Sequence, residues 1–221
     1  MSKIYISPSD QDKNIYATGN TNEMVQCQKI GKALVKALER CGFEAKSNDT
    51  DEMEKRVAES NAWGADMHIC IHTNAFNGYV KGTRIFSHDT SGEGYQASRQ
   101  IMATLSPITP GESDNITPYP GLYEVRNANA PTVYIEVAFH DNKEEAAWII
   151  AHIDDIAEAI CKGVCNHYGV KYAEKPSVTT SSGTWFRVQC GSFRSLQNAE
   201  RLRDELRSKG YSDAFIVEVS K

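Results

Sequence analysis

Apolar residues recur along this chain in two alternating rhythms. Residues 3–7 make a short strand-like run that stops at Pro8. Cys27, Ile30, Leu34 and Leu38 then fall at spacings of 3, 4 and 4, which is one face of an α-helix. Thr21 or Asn22 can cap that helix, and Gly42 ends it. Residues 43–46 read as a short strand, and 52 to about 63 as a second helix stopped by Gly64. Strands are predicted at 67–72 and 82–86, with a helix at 93–105 between them and the next element. Residues 106–121 hold four prolines and two glycines and read as a loop. Residues 132–138 are rich in β-branched side chains and read as a strand. Residues 144–168 read as one long helix, with Trp148, Ile149, Ile153, Ile156 and Ile160 on its apolar side. Strands alternating with helices predict an α/β fold.

The rhythm breaks at 171–184, where Lys, Glu and Pro give way to Thr-Thr-Ser-Ser-Gly-Thr, the composition of a flexible linker. Beyond it, 185–191 reads as strand, 195–209 as helix and 213–219 as strand. Such a β-α-β unit can bury little apolar surface alone. The expected division is a main domain at 1–170, a linker at 171–184 and a small module at 185–221.

Composition narrows the class. With 40% hydrophobic and 24% charged residues, the 221-residue chain has a globular make-up. No apolar run approaches the roughly 20 residues needed to span a bilayer, so membrane insertion is not expected. The N-terminus enters a strand at once, without a charged n-region and an apolar h-region. Synthesis in the cytoplasm without a signal peptide is therefore expected. Net charge is −5, divided as +2 over residues 183–221 and −7 over the rest. A basic tail on an acidic body suits an anionic partner, or simply a solvated helix face. No nucleic-acid partner is expected. Most of the six cysteines fall at apolar positions, as reduced core thiols do. Cys161 and Cys165 are four apart and could make half a metal site, but no second Cys/His pair at zinc spacing accompanies them.

The run Ala65-Asp66-Met67-His68-Ile69-Cys70-Ile71-His72-Thr73-Asn74-Ala75 reads as a strand that delivers His72 to its C-terminal tip. That is the end at which α/β sheets carry their chemistry. His68 shares the strand face but lies roughly 13 Å away, too far to share a metal, and reads as a core histidine. Glu23 opens the first helix, either stabilising its dipole or projecting as a metal ligand. Glu136 stands alone in an apolar strand, where desolvation raises a carboxyl pKa and suits a general base. Alternation puts Ala138 and, if the strand continues, His140 on the Glu136 face.

Three stretches together resemble a known family. Lys3-Ile4-Tyr5-Ile6-Ser7-Pro8 with Thr21-Asn22-Glu23 is similar to the opening strand and first-helix glutamate of the zinc-dependent N-acetylmuramoyl-L-alanine amidases, the amidase-3 family. Arg56-Val57-Ala58-Glu59-Ser60-Asn61, then Ala65-Asp66 and Ile71-His72-Thr73-Asn74-Ala75, resembles the family's central motif. Ile135-Glu136-Val137-Ala138-Phe139 with Asp141-Asn142 resembles its catalytic-glutamate motif. The resemblance covers roughly residues 3–168. It implies a single mixed sheet flanked by helices on both faces, with the small β-α-β unit appended. It also implies a zinc ion and cleavage of the amide between N-acetylmuramic acid and L-alanine in peptidoglycan. Carried over, Glu23 and His72 match zinc ligands. Glu136 matches the catalytic glutamate, which takes a proton from water and returns one to the leaving amine.

One departure leaves a ligand open. The family usually has Gly-His after the first strand, whereas this chain has Pro8-Ser9-Asp10-Gln11. His140 is the best donor chemically, and Gln11 matches a Pro-Ser-x-Gln subgroup; Asp10 stands behind both. Arg126 and Asn74 are the candidate substrate-binding residues, although Arg126 also reads as a surface arginine. Phe186-Arg187-Val188-Gln189-Cys190-Gly191-Ser192-Phe193, with Asn198-Ala199-Glu200 and Gly210-Tyr211, resembles a peptidoglycan-binding SPOR domain. A full SPOR module has two β-α-β halves and this chain has one, so a homodimer completed by a second copy is an expectation. The expected protein is a peptidoglycan hydrolase of endolysin or autolysin type, acting on the cell wall after release. The alternatives are a non-catalytic peptidoglycan binder and another zinc cell-wall peptidase.

Overall fold

The computed structural model describes residues 1–49, 52–175, 189–211 and 214–218. These belong to two units, Met1–Lys175 and Pro176–Lys221.

Alternation along three neighbouring strands explains the first unit. β1 (Lys3–Pro8), β3 (Met67–Asn74) and β6 (Thr132–Phe139) pair in parallel. Ile4, Ile6, Met67, Ile69, Ile71, Val133, Ile135 and Val137 point to one face and join the main apolar core. The intervening positions Tyr5, Ser7, His68, Cys70, His72, Tyr134 and Glu136 occupy the opposite face, because successive strand side chains alternate. One face is thus a greasy floor and the other carries the chemistry.

β2 (Glu44–Ser47) extends the sheet parallel to β1, while β4 (Arg84–Ser87) joins β6 antiparallel and carries β5 (Asn115–Pro118) beyond it. The order is β2-β1-β3-β6-β4-β5, a six-stranded mixed sheet. The helices α1 (Glu23–Arg40), α3 (Glu93–Leu105) and α6 (Ile153–Tyr168) cover the apolar face. Gly163 permits the close crossing of α6 and α3, since a Cβ there would stand 2.5 Å from Ile101 Cα. On the other face lie α2 (Met53–Trp63) and the short α4 (Tyr123–Asn127). There a small cluster joins Val125 to Cys70 and Tyr134.

Two expectations need correction. The stretch 106–121 is not all loop: it contains a 3-10 turn at Ser106–Ile108 and β5. β5 is a four-residue edge strand ending at Pro118, a position that suits a proline. The helix read over 144–168 is two helices, α5 (Lys143–Ala151) and α6, broken at His152 with φ −121° and ψ 32°. Ile149, Ile156 and Ile160 all enter one core, so the apolar rhythm ran through the break.

In the second unit α7 (Leu196–Ser208) is the only regular element among the described residues. Residues 189–191 and 214–218, where the sequence reading expects flanking strands, are not in strands. The remaining positions of both expected strands lie outside the described residues. Among the described residues no helix is long and apolar enough to cross a membrane.

Candidate functional site

The parallel strands β1, β3 and β6 end at one edge of the sheet, and the loop 9–22 folds back over that edge. Glu23 donates its backbone N–H to Asn14 O, and Met24 donates to Gln11 O. Asn22 caps α1 by accepting from Val25 N, which sets Glu23 in the first helical turn. The Glu23 side chain is buried and its Oε1 lies 2.8 Å from His72 Nδ1. Gln11 Nε2 stands 3.3 Å from the same nitrogen. Asn14 Nδ2 donates to both Gln11 Oε1, at 2.8 Å, and Glu23 Oε2, at 2.6 Å. Gln11, Glu23 and His72 therefore converge on one point, held by Asn14.

Glu136 pairs directly with His72 in the β3–β6 register, on the same face. Its Oε2 is a buried atom without a hydrogen-bond partner. Burial lifts the Glu136 carboxyl to about 7, with His72 opposing the rise and Glu23 adding to it. Burial alone would lower the His72 pKa, but the Glu23 hydrogen bond and the charges of Glu136, Glu23 and Glu124 hold it above its ordinary value. Burial likewise acts to raise Glu23, and the hydrogen bond and charge of His72 outweigh it, keeping the carboxyl low. A pocket in which three carboxylates surround one imidazole favours a cation.

The other candidates lie outside this set of hydrogen bonds. His140 is buried with Nδ1 2.8 Å from Thr73 O, and its ring stacks on Tyr16 at 5.3 Å. Its backbone carbonyl accepts from Ala17 N, so His140 pins the 9–22 loop to the end of β3. The alternation that carries Glu136 does not reach it, because β6 ends at Phe139. Asp10 faces the buried Arg56, with Asp10 Oδ2 3.4 Å from Nη1. Asn74 Oδ1 accepts from Ala75 N, and its backbone oxygen accepts from His140 N. Arg126 is exposed and lines a shallow cavity of about 350 Å³ with Glu93, Tyr95, Pro131 and Thr132, toward the opposite end of β6.

Two clusters were not legible in the sequence. Below His72, Ser7 Oγ donates to Glu124 Oε1 at 2.5 Å and accepts from Arg56 Nε at 2.9 Å. His68 Nε2 lies 3.2 Å from the same Glu124 oxygen, and its Nδ1 lies 2.9 Å from Ser60 Oγ. Glu124 comes from α4, five residues long and too short to show a helical period. His68, Cys70 and Glu124 also bring their potential ligand atoms within 4.8 Å of one another. Separately, Cys41 joins Cys161 and Cys165, with Cys41 and Cys161 Sγ atoms 3.6 Å apart. Burial pushes the Cys165 thiol up to about 12 and Cys161 higher still, as expected of protonated core thiols. Among the described residues all the cysteines are free, and Cys190 alone is exposed.

Comparison with known proteins matches this arrangement to a family. The N-acetylmuramoyl-L-alanine amidase model (Amidase_3) matches residues 4–166, and the SPOR domain model matches 168–221. The amidase CwlM of Bacillus licheniformis is 24% identical over 173 residues, covering 77% of this chain and 64% of its own length. An uncharacterised 38.4 kDa protein of Clostridium perfringens is 27% identical, and the match covers 67% of this chain and 47% of that one. The chain thus spans between about half and two thirds of these two curated relatives. The sporulation-specific N-acetylmuramoyl-L-alanine amidase of Bacillus subtilis (strain 168) is 24% identical, covering 98% of this chain and 85% of its own. Among solved structures, the catalytic domain of CwlV from Bacillus (Paenibacillus) polymyxa superposes with a TM-score of 0.69 at 17% identity, over 77% of this chain and all of that one. At that identity the likeness speaks for the fold. The match runs from β1 to the last turns of α6 and so takes in the whole mixed sheet and every residue at its chemical edge. The chain belongs to the N-acetylmuramoyl-L-alanine amidase family.

Proposed function

We propose that this protein hydrolyses the amide between N-acetylmuramic acid and L-alanine in peptidoglycan, in the cell wall, with zinc held by Gln11, Glu23 and His72. The observation that carries the reading is the convergence of these three side chains beside Glu136. One carboxylate, one imidazole and, once the Gln11 amide turns so that its oxygen rather than its Nε2 faces His72 Nδ1, one amide oxygen form a donor set that a divalent zinc ion accepts, with the neutral amide as its weakest member. Bound there, zinc would lower the pKa of a coordinated water and polarise the scissile carbonyl.

The protein's own groups do the rest. Asn14 fixes Gln11 and Glu23 relative to each other through its two hydrogen bonds. Tyr134 stacks on His72 with ring centroids 4.4 Å apart and keeps the imidazole plane in place. Glu136 is held near pKa 7, so it can take a proton from the attacking water and pass one to the leaving nitrogen at neutral pH. Peptidoglycan digested by the purified protein is expected to release new amino-terminal L-alanine. Free D-alanine would point to a peptidase instead, and no product at all, with peptidoglycan still bound, to a binder.

The tail extends the proposal to partners. Phe193, Leu196, Tyr211, Phe215 and Val217 are exposed, and α7 buries none of its residues. A second copy of the same module would cover this apolar surface and give a homodimer engaged on glycan strands. Light scattering at high concentration is expected to return twice the chain's 24.6 kDa. A monomeric mass contradicts the dimer.

A further inference from the structure

We propose that Glu124 is the positioning residue of His72, accepting its Nε2–H and so aiming Nδ1 at the metal. The inference rests on the metal reading above. An imidazole offers two nitrogens, and when one ligates, the other carries the proton and needs an acceptor. His72 Nδ1 faces Glu23 and Gln11, which leaves Nε2 for the acceptor.

The structure offers one group for that role. His72 Nε2 and Glu124 Oε2 are both buried atoms without a hydrogen-bond partner. They stand 4.0 Å apart. Orphaned buried polar atoms are costly, and two facing each other, one a donor and one an acceptor, satisfy each other with a shift of about 1 Å. The carboxylate is anchored for the task. Its Oε1 is occupied by Ser7 and His68, so Oε2 is the oxygen left over. Burial acts to raise Glu124, yet the hydrogen bond and charge of His68 hold the carboxyl below its ordinary value, as an acceptor requires. The fully buried Arg56 bonds Ser7 and supplies positive charge behind the carboxylate. The rival assignment is a metal held by His68, Cys70 and Glu124 themselves. Glu124 Oε1 is already taken by Ser7 and His68, and His68 Nδ1 by Ser60, which disfavours it.

The test measures zinc dissociation constants by chelator competition, together with the absorption spectrum of the cobalt-substituted protein. Four proteins are compared: wild type, Glu124→Leu, Glu124→Gln and Cys70→Ala. Glu124→Leu removes the acceptor and is expected to weaken zinc roughly 10–100-fold. Glu124→Gln keeps the shape and a neutral acceptor, so it folds with the wild-type circular dichroism and recovers part of the loss. Cys70→Ala leaves affinity and cobalt spectrum unchanged. Zinc affinity within twofold of wild type in both Glu124 variants overturns the proposal. Loss of zinc or of the cobalt spectrum in Cys70→Ala also overturns it, since Glu124 would then be a ligand. If wild type itself takes up no zinc, the metal reading falls and this inference with it.

Discussion

Glu136→Gln is expected to lower turnover by about 10²–10⁴-fold while leaving zinc uptake intact. Glutamine keeps the size of the side chain and one acceptor oxygen but can neither take nor return a proton. Glu136 lies opposite His72 on β6 rather than among Gln11, Glu23 and Asn14, so the ligand set should not notice the change. Steady-state release of L-alanine termini, with zinc content measured in parallel, checks both halves. Equal loss of zinc and activity would make Glu136 a ligand instead of a base. The same substitution has a pH signature in the metal-free protein. The folded-state pKa of Glu136, about 7, lies above its ordinary value of 4.5. The native state therefore holds its proton more tightly, so stability is fully present below pH 4.5 and is lost as pH rises toward 7. Glu136→Gln removes that slope, and the metal-free variant should exceed wild type in stability by about 3 kcal/mol above pH 7. Urea midpoints at pH 4.5 and pH 8 read the difference.

Gln11→His is expected to tighten zinc at least about tenfold, equivalent to about 1.4 kcal/mol. Gln11 supplies a neutral amide where an imidazole would be a stronger donor. Its backbone is already fixed at the sheet edge, because Met24 N donates to Gln11 O and the side chain lies against His72 Nδ1. The cost is the hydrogen bond from Asn14 to Gln11 Oε1, although Asn14 keeps its bond to Glu23. Chelator competition on the wild type and variant gives the ratio. An unchanged or weaker affinity would remove Gln11 from the ligand set and reopen the third position.

The strands β1, β3 and β6 were legible as short apolar runs between helices, but the register that sets His72 beside Glu136 depends on pairing across the chain, which alternation within one strand does not give. The first-helix Glu23 was legible because a cap and a helical period fixed where α1 begins. What stayed hidden depended on contacts distant in sequence or on segments too short to have a period. β5 and α4 are four and five residues long. Glu124 stands in Leu122-Tyr123-Glu124-Val125-Arg126 with no pattern to mark it, yet it is buried under His72. His140 looked like the better donor on chemistry alone. β6 ends before it, at Phe139, and its Nδ1 lies against Thr73 O rather than among Gln11, Glu23 and His72. The choice between Gln11, His140 and Asp10 needed the loop 9–22, whose path no strand or helix rule predicts.

Diffraction from crystals of the zinc-loaded protein, collected on both sides of the zinc absorption edge, locates the metal. One anomalous peak per chain is expected, bounded by Gln11, Glu23 and His72 Nδ1. A peak among His68, Cys70 and Glu124, or none within the sheet's chemical edge, would contradict that placement.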